Sequence, residues 1–304
     1  MSKIKEVVQT MMRTNFKFDT DVKILTVTDI SSEKLGNEFH QALHELGWDS
    51  SIAVMKDRNK SGEEPDDVIL EEMKQNEIVF CITKHSLTHT KARKEVNKKG
   101  ISVITMPGIT EDMFLNGAIN ADYEIVEKKT LEIAEKITEH KEVEIKTGKE
   151  NKLIIPIGAR EGIASTGVFA NKGDSGNLPS GEAYVAPIEY KSNGKILING
   201  SISGIGLLKK PVLLEIKNGK IEKASGEEGE KLLNILNGGE GTTLAELGIG
   251  TNYSARVTGK ILEDEKAHDT IHVAFGSNHT FGGTIDANVH IDCVTISPEI
   301  NWLK

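Results

Sequence analysis

Four short β-rich runs recur through the first half of the chain, VKILTVT (22–28), SIAVM (51–55), EIVFCI (77–82) and ISVITM (101–106), with helical patterns between them. After the first run, Ser31 or Ser32 can cap a helix whose Leu35, Phe39, Leu43 and Leu46 share one face and which stops at Gly47. DDVILEEMKQN and HTKARKEVNKKG supply the next two helical stretches. Strands separated by helices need crossover connections, so this half predicts an α/β domain with a mainly parallel sheet. A longer helix follows, with Ile119, Tyr123, Val126, Ile133 and Ile137 at helical spacing.

Past the highly charged segment EHKEVEIKTGKENK (139–152), which reads as a boundary, the pattern changes. Glycine becomes frequent, strands shorten, and Asn193-Gly194 and Asn218-Gly219 mark turns, the second joining LLEIK to KIEKA as a hairpin. One helix, near EEGEKLLNILNGG (227–239), interrupts the β pattern. With 304 residues, the chain exceeds the usual ~100–200 of one domain. The expectation is an α/β N-terminal domain over 1–145 and a β-rich α+β C-terminal domain over 146–304.

A formal charge of −9 argues against a nucleic-acid or anionic-membrane partner, because both need clustered Lys and Arg. The start, MSKIKEVVQTMMRTNF, lacks a signal-peptide apolar core, and no later segment approaches ~18 unbroken apolar residues. A cytoplasmic location is therefore expected. Cys81 and Cys293, the only cysteines, each lie in an apolar stretch and offer no support for a disulfide framework or a thiolate zinc site. Any metal has to be held by His and carboxylates.

Several motifs carry little weight. The GIG in 203–208 and in 247–252 lacks the full dinucleotide fingerprint, and the first βα turn has no glycine cluster for a pyrophosphate. His40 and His44 are four apart on a helix but lack the Glu of the zincin pattern, so a solvated face is the simpler reading. No nucleophile-elbow pattern supports a Ser/His/Asp triad.

The stretch TIHVAFGSNHTFGGTIDANVHID (270–292) carries more weight, holding three of the nine histidines. Alternation along a strand puts Ile271, Val273 and Phe275 on one face and His272 on the other, beside the small Ala274. In NVHIDC, His290 and Asp292 likewise oppose Val289, Ile291 and Cys293. A His and an Asp two apart on one face can bind a common cation such as zinc, manganese, iron or cobalt, or can simply hydrogen-bond on an exposed sheet. Glu182, in GNLPSGEAYVAP, and Glu246, the one acid in TTLAELGIGTN, sit in apolar surroundings where a carboxylate must be protonated, paired or metal-bound. With Glu182, Glu246, His272, His290 and Asp292, the chain has three anions and two imidazoles, enough for two divalent ions that share a bridging carboxylate.

The order NLPSGEAYVAP, LAELGIGTN, EKAHDTIHVAFGSNHTFGG and VHID resembles the M29 family of metallo-aminopeptidases. SLTHTKAR (86–93) and VITMPGITEDMF (103–114) extend the likeness into the first half. The resemblance implies an α/β domain joined to a β-rich catalytic domain, usually paired as a homodimer, with Glu182, Glu246, His272, His290 and Asp292 holding two ions (Zn, Co or Mn). Its implied activity is removal of N-terminal residues from short peptides by a metal-activated water. The chain is shorter than typical family peptidases, and His279 stands where they carry a tyrosine seven residues after the strand histidine. His279 is accordingly the candidate hydrogen-bond donor to a developing oxyanion. The same superfamily includes 2,5-dihydroxypyridine 5,6-dioxygenases, whose single Fe(II) resembles a site made from His272, His290 and Asp292 alone, and that activity is the alternative.

Overall fold

The computed structural model describes residues 2–16 and 22–304. The chain divides into two compact units, Met1–Glu127 with Gly167–Ser180, and Lys128–Thr166 with Gly181–Lys304. The division is thus discontinuous, unlike the single cut expected near 145. It first falls inside the helix Tyr123–Glu139 rather than in the charged segment that follows.

The first unit is built on a parallel sheet. Strands β1 (Lys23–Asp29), β2 (Asp49–Met55), β3 (Ile78–Ile82) and β4 (Ser102–Thr105) run in the order β2-β1-β3-β4, and Ser175–Asn177 adds a fifth strand beside β4. β3 is buried along its whole length, as a central parallel strand covered on both faces must be. Helices Glu33–Glu45, Asp67–Met73 and Lys91–Lys98 are the expected crossovers. The first begins after a short 3-10 turn, Ile30–Ser32, whose Ser32 amide is capped by Asp29 rather than by a serine hydroxyl.

The second unit holds two antiparallel sheets, of six and seven strands, whose apolar faces share one core with the helix Gly226–Leu236. The segment expected as a boundary is a hairpin of the six-stranded sheet, Glu142–Thr147 paired with Asn151–Pro156. Val143 and Ile145 are fully buried while Glu142 and Lys146 are not, so its charge is the outer face of a strand. Asn218 (φ 48°) and Gly219 (φ 70°) make the expected tight turn between Val212–Lys217 and Lys220–Ala224. Asn193-Gly194 instead opens the strand Asn193–Ile198, pairing with Ile154 and Leu153.

Four neighbouring strands of the seven-stranded sheet position the candidate site: β5 (Glu182–Val185), β6 (Leu244–Gly250), β7 (Thr270–Gly276) and β8 (His290–Ile296), in the order β8-β7-β6-β5. Ala183, Val185, Leu247, Ile249, Ile271, Val273, Phe275 and Cys293 turn inward to the core. Their neighbours in sequence project from the other face, and those include every polar residue singled out on these strands. Among the described residues, no helix is long and apolar enough to cross a membrane.

Candidate metal centre

The strand register brings the residues together. Across β6, β7 and β8, Glu246 pairs with Ala274 and Ala274 with Asp292, while Gly276 pairs with His290. One register step along, Tyr184 pairs with Gly248 and Gly248 with His272. Donors thus alternate with small residues, which leaves space above the sheet between them. A register irregularity between Leu244 and Glu246 places Glu246 opposite Ala274. Gly248 is required for close approach: a Cβ there would lie 2.0 Å from His272 Cε1 and 2.2 Å from Nε2.

Three overlapping sets of donor atoms result, Glu182–Glu246–His272, Glu246–His290–Asp292 and Glu265–His272–Asp292, each with its atoms within 4.8 Å of one another. Glu246 joins the first two, its Oε1 lying 3.1 Å from His272 Nε2 and its Oε2 3.4 Å from His290 Nε2. His290 Nε2 is also 3.5 Å from Asp292 Oδ1. On the far side of the ring, His290 Nδ1 lies 2.8 Å from the Ser277 carbonyl, which accepts a hydrogen bond from it and so turns Nε2 towards the carboxylates. Glu182 Oε2 lies 3.5 Å from His272 Nε2 and is a buried polar atom without a hydrogen-bond partner. A cation seated among these donors satisfies that oxygen, so the residues fit the metal that their chemistry implies.

The electrostatics agree. Burial pushes the Glu246 carboxyl up, but hydrogen bonds from His272 and His290 and their charge outweigh it and hold the group well below the usual carboxylate range. Burial disfavours charge on His272 as well, yet Glu246, Glu182 and Glu265 lift it to about 9. His290 is raised well above its ordinary value against its own burial, by Asp292 and Glu246. Without a metal, protons on the two imidazoles answer the carboxylates' demand for positive charge, and a divalent ion takes the place of those protons.

All five expected ligands therefore converge on one sheet face. His279 is placed apart from them: half-exposed, it bonds through Nδ1 to Ser277 Oγ at 2.9 Å and approaches Asp286 at 3.6 Å. The loop that carries it is tied to the centre through the Ser277 carbonyl and through Phe281, whose ring meets His290 edge-on at 5.8 Å and Tyr184 at 5.6 Å. His40, the helical histidine set aside above, bonds Ser50 Oγ at 3.2 Å.

Two residues at the centre escape the sequence reading. Glu265 belongs to the third donor set, and burial raises its carboxyl to about 7. Lys266, fully buried, places its ammonium 2.5 Å from both Glu182 Oε1 and Glu265 Oε1, and those carboxylates raise it further despite its burial. Both sit in EDEKAHD (263–269), whose composition is that of a solvated turn. Its position directly before the His272 strand was the one available signal.

The model of the family described as thermophilic metalloprotease (M29) matches residues 47–289. No curated protein matches the chain. Among solved structures, the fold is similar to that of 2,5-dihydroxypyridine dioxygenase from Pseudomonas putida KT2440, with a TM-score of 0.78 at 15% identity over 99% of this chain and 94% of that one. It is also similar to wild-type AmpT from Thermus thermophilus, with a TM-score of 0.68 at 14% identity over 99% and 95% of the respective chains.

Proposed function

Because the chain belongs to the thermophilic metalloprotease (M29) family, we propose that it is a metal-dependent aminopeptidase-like hydrolase that removes N-terminal residues from short peptides. The observation that carries this reading is the convergence of Glu182, Glu246, His272, His290 and Asp292 on one sheet face with their donor atoms in contact range. A divalent metal (Zn, Co or Mn) bound there supplies a Lewis acid for the scissile carbonyl and lowers the pKa of a water.

The chain's own residues do the rest. Glu246, through its two oxygens, holds the His272 and His290 rings in fixed relation, and Ser277 fixes the tautomer of His290. The carboxylate-rich face suits the free ammonium of a peptide N-terminus. Glu265, pushed by burial to about 7, is suited to take a proton from the attacking water and pass it to the leaving amine. Tyr184 and Phe281 supply an aromatic wall beside the donors.

His279 is proposed as a donor to the developing oxyanion from the loop above. Its replacement by Ala is expected to lower kcat by about 10²-fold, the usual cost of one such donor, with metal content unchanged. Full activity in His279→Ala would remove it from the mechanism.

The alternative, a mononuclear iron(II) dioxygenase of the 2,5-dihydroxypyridine type, draws support from the likeness to such an enzyme. It needs His272, His290 and Asp292 around one ion, whereas among the described residues the close donor sets pair each histidine with carboxylates and never both together. The two readings separate in one experiment. Metal-loaded protein is incubated with unblocked dipeptides, with the same dipeptides N-acetylated, and with 2,5-dihydroxypyridine under an oxygen electrode. Release of the N-terminal residue from the unblocked set alone supports the hydrolase. Oxygen uptake without peptide cleavage overturns it.

A further inference from the structure

The connection between β7 and β8 is longer than a hairpin needs. Neighbouring antiparallel strands commonly close with about two to five residues, whereas residues 277–289 intervene here. We propose that Glu189 is a positioning residue of the metal centre: braced by Arg160, it fixes where this loop stands, and with it the placement of His279 and Phe281 beside the donors. The inference rests on the hydrolase reading above and names the residue that holds its loop in place.

The loop is built around one side chain. Asn278 is fully buried; its Oδ1 accepts from the Ile285 amide at 2.8 Å, and its carbonyl accepts from the amides of Phe281 and Gly283 at 3.2 and 3.1 Å. Gly283 belongs to the same packing, since a Cβ there would lie 2.0 Å from the Asn278 side chain. These contacts make the loop compact but leave open where it sits. Among the described residues, both hydrogen bonds that 278–288 makes to chain outside the loop end on Glu189 Oε1, from the Thr284 amide at 2.8 Å and from Asn278 Nδ2 at 3.4 Å. The other oxygen, Oε2, accepts from Arg160 Nη2 at 2.7 Å, and Arg160 Nη1 donates to the carbonyls of Ala186 and Pro187. Arg160 follows the strand Asn151–Pro156, and Ala186 follows β5. The brace therefore joins the six-stranded sheet, the strand that carries Glu182 and Tyr184, and the loop. Its ion pair is largely covered, with the Arg160 and Glu189 side chains 20% and 10% exposed, so solvent screens it weakly. The next residue, Tyr190, has φ 60°, a conformation that bulky side chains seldom adopt, so the backbone that delivers Glu189 is held against a local cost. Loss of the Glu189 contact frees the loop to move Phe281 and His279 relative to the donors, while the five ligands stay on their strands.

Cobalt-loaded wild type, Glu189→Ala and Glu189→Gln are compared by amide hydrogen exchange with mass spectrometry, by cobalt content and by hydrolysis of an unblocked dipeptide. In Glu189→Ala the 277–289 peptide is expected to lose protection while β7 and β8 keep theirs and cobalt content is unchanged. Its kcat is expected to fall by about 10²-fold, the order that misplacement by about an ångström costs, with a much smaller change in KM. Glu189→Gln keeps an acceptor oxygen for the Thr284 amide and is expected to recover most of the protection and turnover. Arg160→Lys keeps the charge but not the fork that reaches carboxylate and carbonyls together; it is expected to loosen the same peptide, and it carries the test if the alanine variant does not fold. Wild-type protection of the loop in a folded variant overturns the inference, as does a loosened loop with wild-type kcat. Protection lost equally from β7 and β8 also overturns it, since Glu189 then serves stability alone. Absence of hydrolysis by wild type overturns the hydrolase reading itself.

Discussion

Replacing Glu246 by glutamine is expected to lower kcat/KM by about 10³-fold or more and to leave the fold intact. Glu246 is the residue shared by two donor sets, one oxygen facing each histidine. The amide keeps the carboxylate's shape but converts one oxygen into a donor group that cannot ligate a cation and loses the negative charge altogether. Stabilisation by a bound metal is worth several kcal/mol in the transition state, and each 1.36 kcal/mol is tenfold in rate. The fold should survive because the neighbouring Leu247 and the other inward residues of its sheet are untouched, and they carry the core. Steady-state kinetics with an unblocked dipeptide, together with circular dichroism, check both halves. A Glu246→Gln protein with near wild-type turnover would remove the centre from the chemistry.

The second large effect comes from a residue with no functional group. Gly248→Ala puts a methyl 2.0 Å from His272 Cε1 and 2.8 Å from Nδ1, separations that no real pair of atoms tolerates. His272 is itself buried, so its ring can move only by displacing the carboxylates around it. We expect a stability loss of about 1–3 kcal/mol, the usual cost of overpacking. Metal affinity should also fall, and activity should drop by about 10²-fold, the order seen when reacting groups are misplaced by about an ångström. Urea unfolding and cobalt titration of the variant read the two effects separately. Wild-type behaviour in both would mean that His272 does not hold the position described.

How far the sequence revealed this arrangement differs from element to element. β1 to β4 were legible because each is a short apolar run closed by turn residues, with amphipathic helices between. The fifth strand of that sheet, Ser175–Asn177, was not, since its pairing with Val103–Thr105 is made by backbone and its side chains carry no β signal. The hairpin Glu142–Thr147 to Asn151–Pro156 looked like a boundary because Glu142, Glu144 and Lys146 alternate along its first strand and Lys149, Glu150 and Lys152 crowd its turn. The valine and isoleucine between them, fully buried, were the better guide.

The centre shows the same division. His272, His290 and Asp292 could be assigned to one face from period-two alternation along β7 and β8, and Glu182 and Glu246 stood out as acids in apolar strands. Glu265 and Lys266 could not, because the burial of Glu263, Asp264 and Lys266 depends on partners such as Ser201 and Asn252 that lie far away in sequence. A run as charged as EDEKAHD (263–269) reads as a solvated turn until its partners are known. Here the run folds inward and delivers a cation to the site.

The most direct test of the central claim is hydrolysis of an unblocked dipeptide by chelator-stripped protein, followed as cobalt(II) is returned in substoichiometric steps. The account predicts no turnover in the stripped protein, recovery that rises with bound metal, and no recovery in Glu246→Gln. Turnover that survives chelation, or a fully loaded wild type that releases no N-terminal residue from any unblocked peptide, would contradict it.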